Sequence, residues 1–202
     1  MRIASIVEGH GDVDAVPALL RRIAHACGAY DVRILPPIRV ARTHIRANDP
    51  ELERVVELAR YRLQGSGGLI VVFDADTDCP AQLGPSLQQE LEKKVAPVKT
   101  AVVLAKMEFE AWFLAAIESL RGFRGIRENA VPPPDPESIR GAKEELRRMM
   151  VPERGYGETV DQVAFASRFD LQLARSRSPS FDKFYREVMR LLSCEERTGV
   201  RR

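Results

Sequence analysis

Apolar residues recur along this chain with two alternating periods. A short run over residues 3–7 ends at Glu8-Gly9, and Val16, Leu19, Leu20, Ile23 and Cys27 then return at helical spacing, with Gly28 as the expected stop. A second apolar run covers 32–35 and is ended by Pro36-Pro37. Asp49-Pro50 puts a cap and a first-turn proline in the preferred order ahead of a stripe formed by Leu52, Val55, Val56, Ala59 and Leu63. After a glycine-rich turn comes the most apolar segment, Leu69-Ile70-Val71-Val72-Phe73. A helix carrying Leu83, Leu87, Leu91 and Val95 follows, then a fourth strand over 101–104, then a helix from near Glu110 through Trp112, Phe113, Ala116, Ile117 and Leu120.

Strands separated by helices predict parallel pairing through right-handed crossovers. Residues 1–120 are therefore expected to form an α/β domain, a mostly parallel four-stranded sheet flanked by helices. From residue 121 the pattern changes. Gly122, Gly125 and Val131-Pro132-Pro133-Pro134-Asp135-Pro136 read as a stiff, extended connection. Helical spacing returns at Ile139, Ala142, Leu146 and Met149, at Val160, Val163 and Ala164, and at Phe181, Phe184, Tyr185, Val188 and Leu191. Residues 121–202 thus read as an α-helical C-terminal extension packed on the α/β part, because its apolar stripes need a partner; 195–202 reads as frayed.

The parallel sheet has a chemical consequence. Every strand's carboxyl end lies on one rim, where open α/β folds take ligands. Glu8 follows the first strand, Asp74 and Asp76 the third, Glu108 and Glu110 the fourth. Residues two apart in extended chain point the same way, so Asp74 and Asp76 are expected to converge on one cation. Adjacent carboxylates repel unless a cation or donors neutralise them. Asp74-Ala75-Asp76-Thr77-Asp78 offers hard oxygen ligands, which select Mg²⁺ or Mn²⁺ over zinc; the bland alternative is a polar loop in which Thr77 or Asp78 caps the next helix. Phosphatase-type phosphotransferases share the Asp-x-Asp pattern, but theirs continues to a threonine where Asp78 stands. Asp12 and Asp14 are explained as residues at a helix N-terminus. Glu8 is not so explained, and is the better candidate for a metal ligand or general acid/base.

Composition narrows the setting. With 45% hydrophobic and 30% charged residues the chain is of soluble globular type, and no apolar run approaches the roughly 20 residues of a membrane span. The start turns acidic too soon for a signal peptide. Cys27, Cys79 and Cys194 make an odd set without paired spacing, which favours a reducing cytoplasm; Cys79 is expected to be a buried thiol. A net charge of +2 implies no whole-protein attraction to nucleic acid, so a basic footprint must be local. Arg33, Arg39, Arg42, His44 and Arg46 form the most one-sided basic stretch, and arginines suit phosphate oxygens. Arg39, Arg42, His44, Arg46 and His10 are the expected substrate contacts. Arg168, Arg175, Arg177 and Lys183 form a second basic set. Trp112 and Phe113 are expected in the core.

An apolar strand ending in Glu8-Gly9, then a helix, then a later strand ending in Asp74-Ala75-Asp76 resembles the TOPRIM domain of topoisomerases, primases and overcoming-lysogenization-defect nucleases. More narrowly, the chain resembles a bacterial TOPRIM-like family, DUF4276. The resemblance rests on Ile6-Val7-Glu8-Gly9, on Val72-Phe73-Asp74-Ala75-Asp76 with Cys79, on Glu108-Phe109-Glu110-Ala111-Trp112-Phe113-Leu114, and on Arg177-Ser178-Pro179-Ser180-Phe181. It implies a TOPRIM-like, Rossmann-like fold. It also implies Glu8 as the catalytic or metal-adjacent glutamate and Asp74 and Asp76 as metal ligands, and Glu110 matches an acidic position of the family. One ion on Asp74 and Asp76 is the minimal arrangement, and Glu108 or Glu110 would complete a second site. Two departures stand out: the acidic residue after Glu8 is the short Asp12, and an aspartate frequent after the tryptophan segment is replaced near Ala115-Ala116. The implied activity is an Mg²⁺- or Mn²⁺-dependent nuclease acting on DNA or RNA in bacterial defence or nucleic-acid processing, beside an ATPase partner. The alternative is a catalytically inactive TOPRIM-like nucleic-acid-binding or regulatory subunit, and a phosphatase-type enzyme ranks behind both.

Overall fold

The computed structural model describes residues 1–46 and 48–194; the expectation for 195–202 lies outside them. Five strands make one parallel sheet: β1 (Arg2–Val7), β2 (Arg33–Ile34), β3 (Ile38–Arg39), β4 (Gly68–Asp74) and β5 (Lys99–Ala105). The expected four strands become five because Pro36-Pro37 interrupts the second apolar run. Proline has no N–H to give to a ladder. The chain pairs with Arg2 and Ile3 before the prolines and resumes at Ile6 and Val7 after them.

The order is β2–β1–β4–β5, with β3 also on β1. Strands next in sequence to β1 thus lie on one side of it, and β4 lies on the other. Between β1 and β4 the sheet changes its direction of growth, and the crevice beyond the carboxyl ends at such a point is where open α/β sheets take ligands.

Side chains alternate along β4: Ile70 and Val72 enter one core, Leu69, Val71 and Phe73 the other. On the second face lie α2 (Pro50–Leu63) and α3 (Pro80–Val95); α2 starts at Asp49, whose carboxylate accepts from the N–H groups of Glu51 and Leu52. The first face carries α1 (Asp12–Ala26) and is completed by the second half of the chain. There α4 (Ala111–Leu114), α5 (Ala142–Arg148), α6 (Glu158–Ala166), α7 (Leu171–Arg177) and α8 (Pro179–Leu192) follow in order. Helix α6 packs on α1, and α8 packs against β5, β4 and α1.

The described part of the second half, residues 121–194, therefore shares one buried cluster with the sheet, in which Ile3, Trp112, Phe165 and Phe181 all take part. Trp112 is fully buried, as expected, and its ring packs on Phe181 and Phe184 with centroids 5.2 Å away. Its indole N–H donates to Ser180 Oγ at 2.8 Å, so a buried polar atom is satisfied by α8. The helix expected from Glu110 to Leu120 is two pieces, α4 and a 3₁₀ turn over Ile117–Leu120. Helix α7 was not anticipated, although Asp170 caps it by accepting from the N–H groups of Gln172 and Leu173. No helix among the described residues is long and apolar enough to cross a membrane.

Because both halves share a core, Phe181→Ala should lower stability by about 3–5 kcal/mol and move one cooperative urea transition as a whole. Two separable transitions, followed by tryptophan fluorescence and far-UV circular dichroism, would contradict this packing.

Candidate active site at the carboxyl rim of the sheet

A cleft of about 300 Å³ opens at the β1/β4 crevice, lined among others by Glu8, Asp12, Asp74, Glu110, Lys143, Glu158 and Gln162. Register explains its centre. Val7 pairs with Val72, so Glu8 leaves β1 beside the end of β4, where the Asp74 N–H donates to Glu8 Oε2 at 3.4 Å. Asp74 Oδ1 accepts from the Phe109 N–H at 2.8 Å, which ties the end of β4 to the loop after β5.

Asp12, at the start of α1, is buried and doubly held. Its Oδ2 accepts from the Gly9 N–H at 2.8 Å and its Oδ1 from Gln162 Nε2 at 2.6 Å. Gly11 permits that contact, since a Cβ there would stand 1.8 Å from Gln162 Oε1. Glu110 is 1% exposed; Tyr156 Oη donates to its Oε1 at 2.9 Å, whereas its Oε2 accepts no hydrogen bond from another described residue. The Lys143 ammonium lies 3.1 Å from Glu158 Oε2 and 4.0 Å from Glu110 Oε1.

Electrostatics follow from this crowding. Burial raises the carboxyl groups of Glu8, Asp12 and Asp74, Asp74 well above the usual range, where the charges of Asp12, Glu110 and Glu8 add to the effect. Burial pushes Glu110 up to about 7 despite the neighbouring Lys143. Lys143 is held above the ordinary lysine value: burial opposes its charge, but Glu110 and Glu158 outweigh that. The cluster holds more negative charge than its neighbours neutralise, so it can take a cation or keep protons to transfer. Among the described residues, no group of three or more His, Cys, Asp or Glu side chains is placed so that it could hold a metal ion as it stands.

The remaining expected residues divide. Asp76 is not part of extended chain: β4 stops at Asp74, and Asp76 takes a left-handed backbone with φ of 48°. The convergence expected from period-two geometry therefore does not apply to it. Its carboxylate acts on Glu8 electrostatically and sits 3.7 Å from Arg42 Nε. Arg42 also pairs with Asp78 and lies over the Phe73 ring, 5.3 Å from its centroid. Glu108 accepts from the Lys143 N–H at 3.0 Å and caps α5, and it lines a separate recess with Asp76.

Arg39, carried to the rim by β3, lines the cleft with Arg42 and His10, and its Nη1 reaches the Glu8 carbonyl oxygen at 3.4 Å. His44 and Arg46 instead bind Asp49 at 3.2 and 3.1 Å, serving the start of α2. In the second basic set, Arg175 binds Asp182, Arg177 binds Glu118, and Arg168 covers the Phe123 ring. Cys79 is exposed at the head of α3, which corrects the expected buried thiol: the polar loop before it leaves it outside the core.

Asp12, Lys143, Tyr156, Glu158 and Gln162 were missing from the expected site. Asp12 carried a signal, four residues after Glu8 and one helical turn onward, but a helix N-terminus explained it equally well. Lys143, Glu158 and Gln162 reach the cleft only through the packing of α5 and α6, and Tyr156, just before α6, meets Glu110 behind it; local pattern offers no sign of that packing.

The family model described as Domain of unknown function (DUF4276) matches residues 7–189, and the chain belongs to that family. It matches no curated protein and no solved structure.

Raised acids make the fold less stable as pH rises. Glu110 contributes fully below its unfolded value of 4.5, and that contribution is lost as pH climbs through about 7. In the presence of a chelator, Glu110→Gln should therefore flatten the decline of Tm between pH 4.5 and 7. An unchanged profile would show that Glu110 is not held protonated.

Proposed function

For this member of the family, we propose a TOPRIM-like nuclease that hydrolyses nucleic-acid phosphodiester bonds with Mg²⁺ or Mn²⁺. The observation that carries the reading is the convergence of Glu8, Asp12, Asp74 and Glu110 at the β1/β4 crevice, with Glu110 Oε2 buried and without a hydrogen bond from another described residue. Stability alone does not favour that arrangement. An unpaired buried carboxylate oxygen costs about 1–3 kcal/mol or more, and it persists where a function uses it.

The donor set fits a hard divalent cation, since the convergent atoms are carboxylate oxygens. Glu8 and Asp74 are the residues we assign to hold it, with water in the remaining positions, as magnesium commonly keeps. Such an ion would neutralise charge growing on the phosphoryl oxygens and acidify bound water. Glu8, half-buried beside the place assigned to the ion, is also positioned to move the proton. Asp12 is held still by Gly9 and Gln162, so its charge is fixed in the cleft. Arg39 and Arg42 stand at one lip and offer guanidinium groups to the non-bridging phosphate oxygens. Arg42 would exchange Asp76 and Asp78 for phosphate in doing so. Defence or nucleic-acid processing beside an ATPase partner extends this proposal through the resemblance alone.

A second reading has its own support. Asp76 and Asp78 are paired with Arg42 and Glu108 caps a helix, so much of the acidic rim is neutralised internally. On that reading the protein is a catalytically inactive nucleic-acid-binding or regulatory subunit.

Cleavage of plasmid DNA and RNA with Mn²⁺ tests the first reading. Glu8→Gln and Asp74→Asn should each lower the rate by about 10²–10⁴-fold. Activity that survives both changes would overturn this site. Millimolar Mg²⁺ or Mn²⁺ should also raise Tm, because a ligand of the native state stabilises it; no rise at all would favour the second reading.

A further inference from the structure

Beyond the cleft, at the outer edge of the same rim, a recess of about 260 Å³ lies between the first turns of α3 and α8. Pro80, Ala81 and Pro85 of α3 line one wall, Pro179, Ser180 and Lys183 of α8 the other, with Leu104, Lys106 and Glu137 between them. Lys183 is half-buried, and its Nζ lies 3.4 Å from where a Cβ on Gly84 would stand, so the ammonium covers the bare backbone of α3 beside Leu104. Among the described residues neither Lys106 nor Lys183 has an ion-pair partner. The acid on the next turn from Lys183, Glu187, is bound to Arg190 at 2.7 Å. An ammonium partly withdrawn from water without a paired carboxylate is unfavourable by itself, and burial lowers the Lys183 value although the charge of Glu187 acts against that.

The rest of the recess is also electropositive. It lies at the N-terminal ends of two helices, of 16 and 14 residues, whose dipoles favour an anion there. Cys79 caps α3 without a side-chain hydrogen bond, whereas α8 is capped by Ser178. One opposing charge is present. Glu137 Oε1 accepts from Ser178 Oγ at 2.5 Å and from the Ser180 N–H at 2.8 Å, which directs it to the α8 end and away from ion pairing with the lysines. The Lys106 N–H donates to Ser180 Oγ at 3.2 Å, so the loop bearing one lysine is tied to the helix bearing the other.

We propose that this recess is a phosphate-binding site, with Lys106 and Lys183 as its cationic ligands, and that its occupant is a backbone phosphate of a polynucleotide lying along the rim. It shares no lining residue with the carboxylate cleft. The polynucleotide identity rests on the function proposed above; the phosphate site does not. Lysine contacts of this kind position a backbone without reading its sequence.

Two probes test the proposal. Inorganic phosphate, compared with chloride at equal ionic strength, should shift the backbone amide resonances of Ala81, Lys106 and Lys183 in the wild-type protein. Those shifts should vanish in the Lys106→Met/Lys183→Met variant. A single-stranded oligonucleotide, followed by fluorescence anisotropy across a salt series, should bind that variant with a slope of log K against log salt reduced by about 0.7, the value for one lost phosphate contact. No phosphate-specific shift in the wild-type recess would overturn the site, whatever the variant does. Phosphate shifts combined with an unchanged oligonucleotide slope would overturn the polynucleotide identity. Both effects present in a protein that cleaves nothing would sustain this site while the nuclease reading fails.

Discussion

Carboxylate crowding at one edge of a parallel sheet is the constraint on which the rest of this structure depends. The topology forces it: parallel strands end on the same rim, and the β1/β4 register sets Glu8 beside Asp74. Once there, the charges must be answered. The chain does so with backbone N–H groups from Gly9, Asp74 and Phe109 and with cations from Lys143 and Arg42, and still leaves Glu110 Oε2 without a hydrogen bond from another described residue. Charge density of that kind destabilises a fold unless something uses it. In this account the something is a divalent ion bound together with a phosphodiester.

The second half of the chain is what makes the arrangement hold. Helix α8 covers part of the sheet face that α1 shares, and Trp112 joins α4 to Ser180 at the head of that helix. Helix α6 comes close enough to the start of α1 for Gln162 to hold Asp12, which works because Gly11 has no side chain. Glu158 and Tyr156 position Lys143 and Glu110 from the same segment. The helical portion is thus a wall of the cleft as well as a layer of the core.

Much of this was legible from sequence, for physical reasons that differ between residues. Glu8 and Asp74 could be found because each follows an apolar strand, and strand ends in parallel sheets share a rim. Asp76 was misread on geometry: the period-two argument holds only while chain stays extended, and here it turns left-handed. His44 and Arg46 looked like phosphate contacts because Asp49 was taken as a cap alone, whereas its buried carboxylate also binds both. Arg39 does line the cleft, but it is carried there by β3, a strand that the prolines concealed. Lys143 and Gln162 gave no sign, since their roles exist only once α5 and α6 dock against residues more than a hundred positions earlier or tens of positions away.

The central claim is that the carboxylates at the β1/β4 crevice hold a divalent cation. Anomalous diffraction from crystals grown or soaked with Mn²⁺ tests it most directly. The account predicts an anomalous peak within coordinating distance of the Glu8 and Asp74 carboxylates, absent from Asp74→Asn crystals. A well-occupied peak elsewhere, with Lys143 still paired to Glu158 and no density between Glu8 and Asp74, would contradict it.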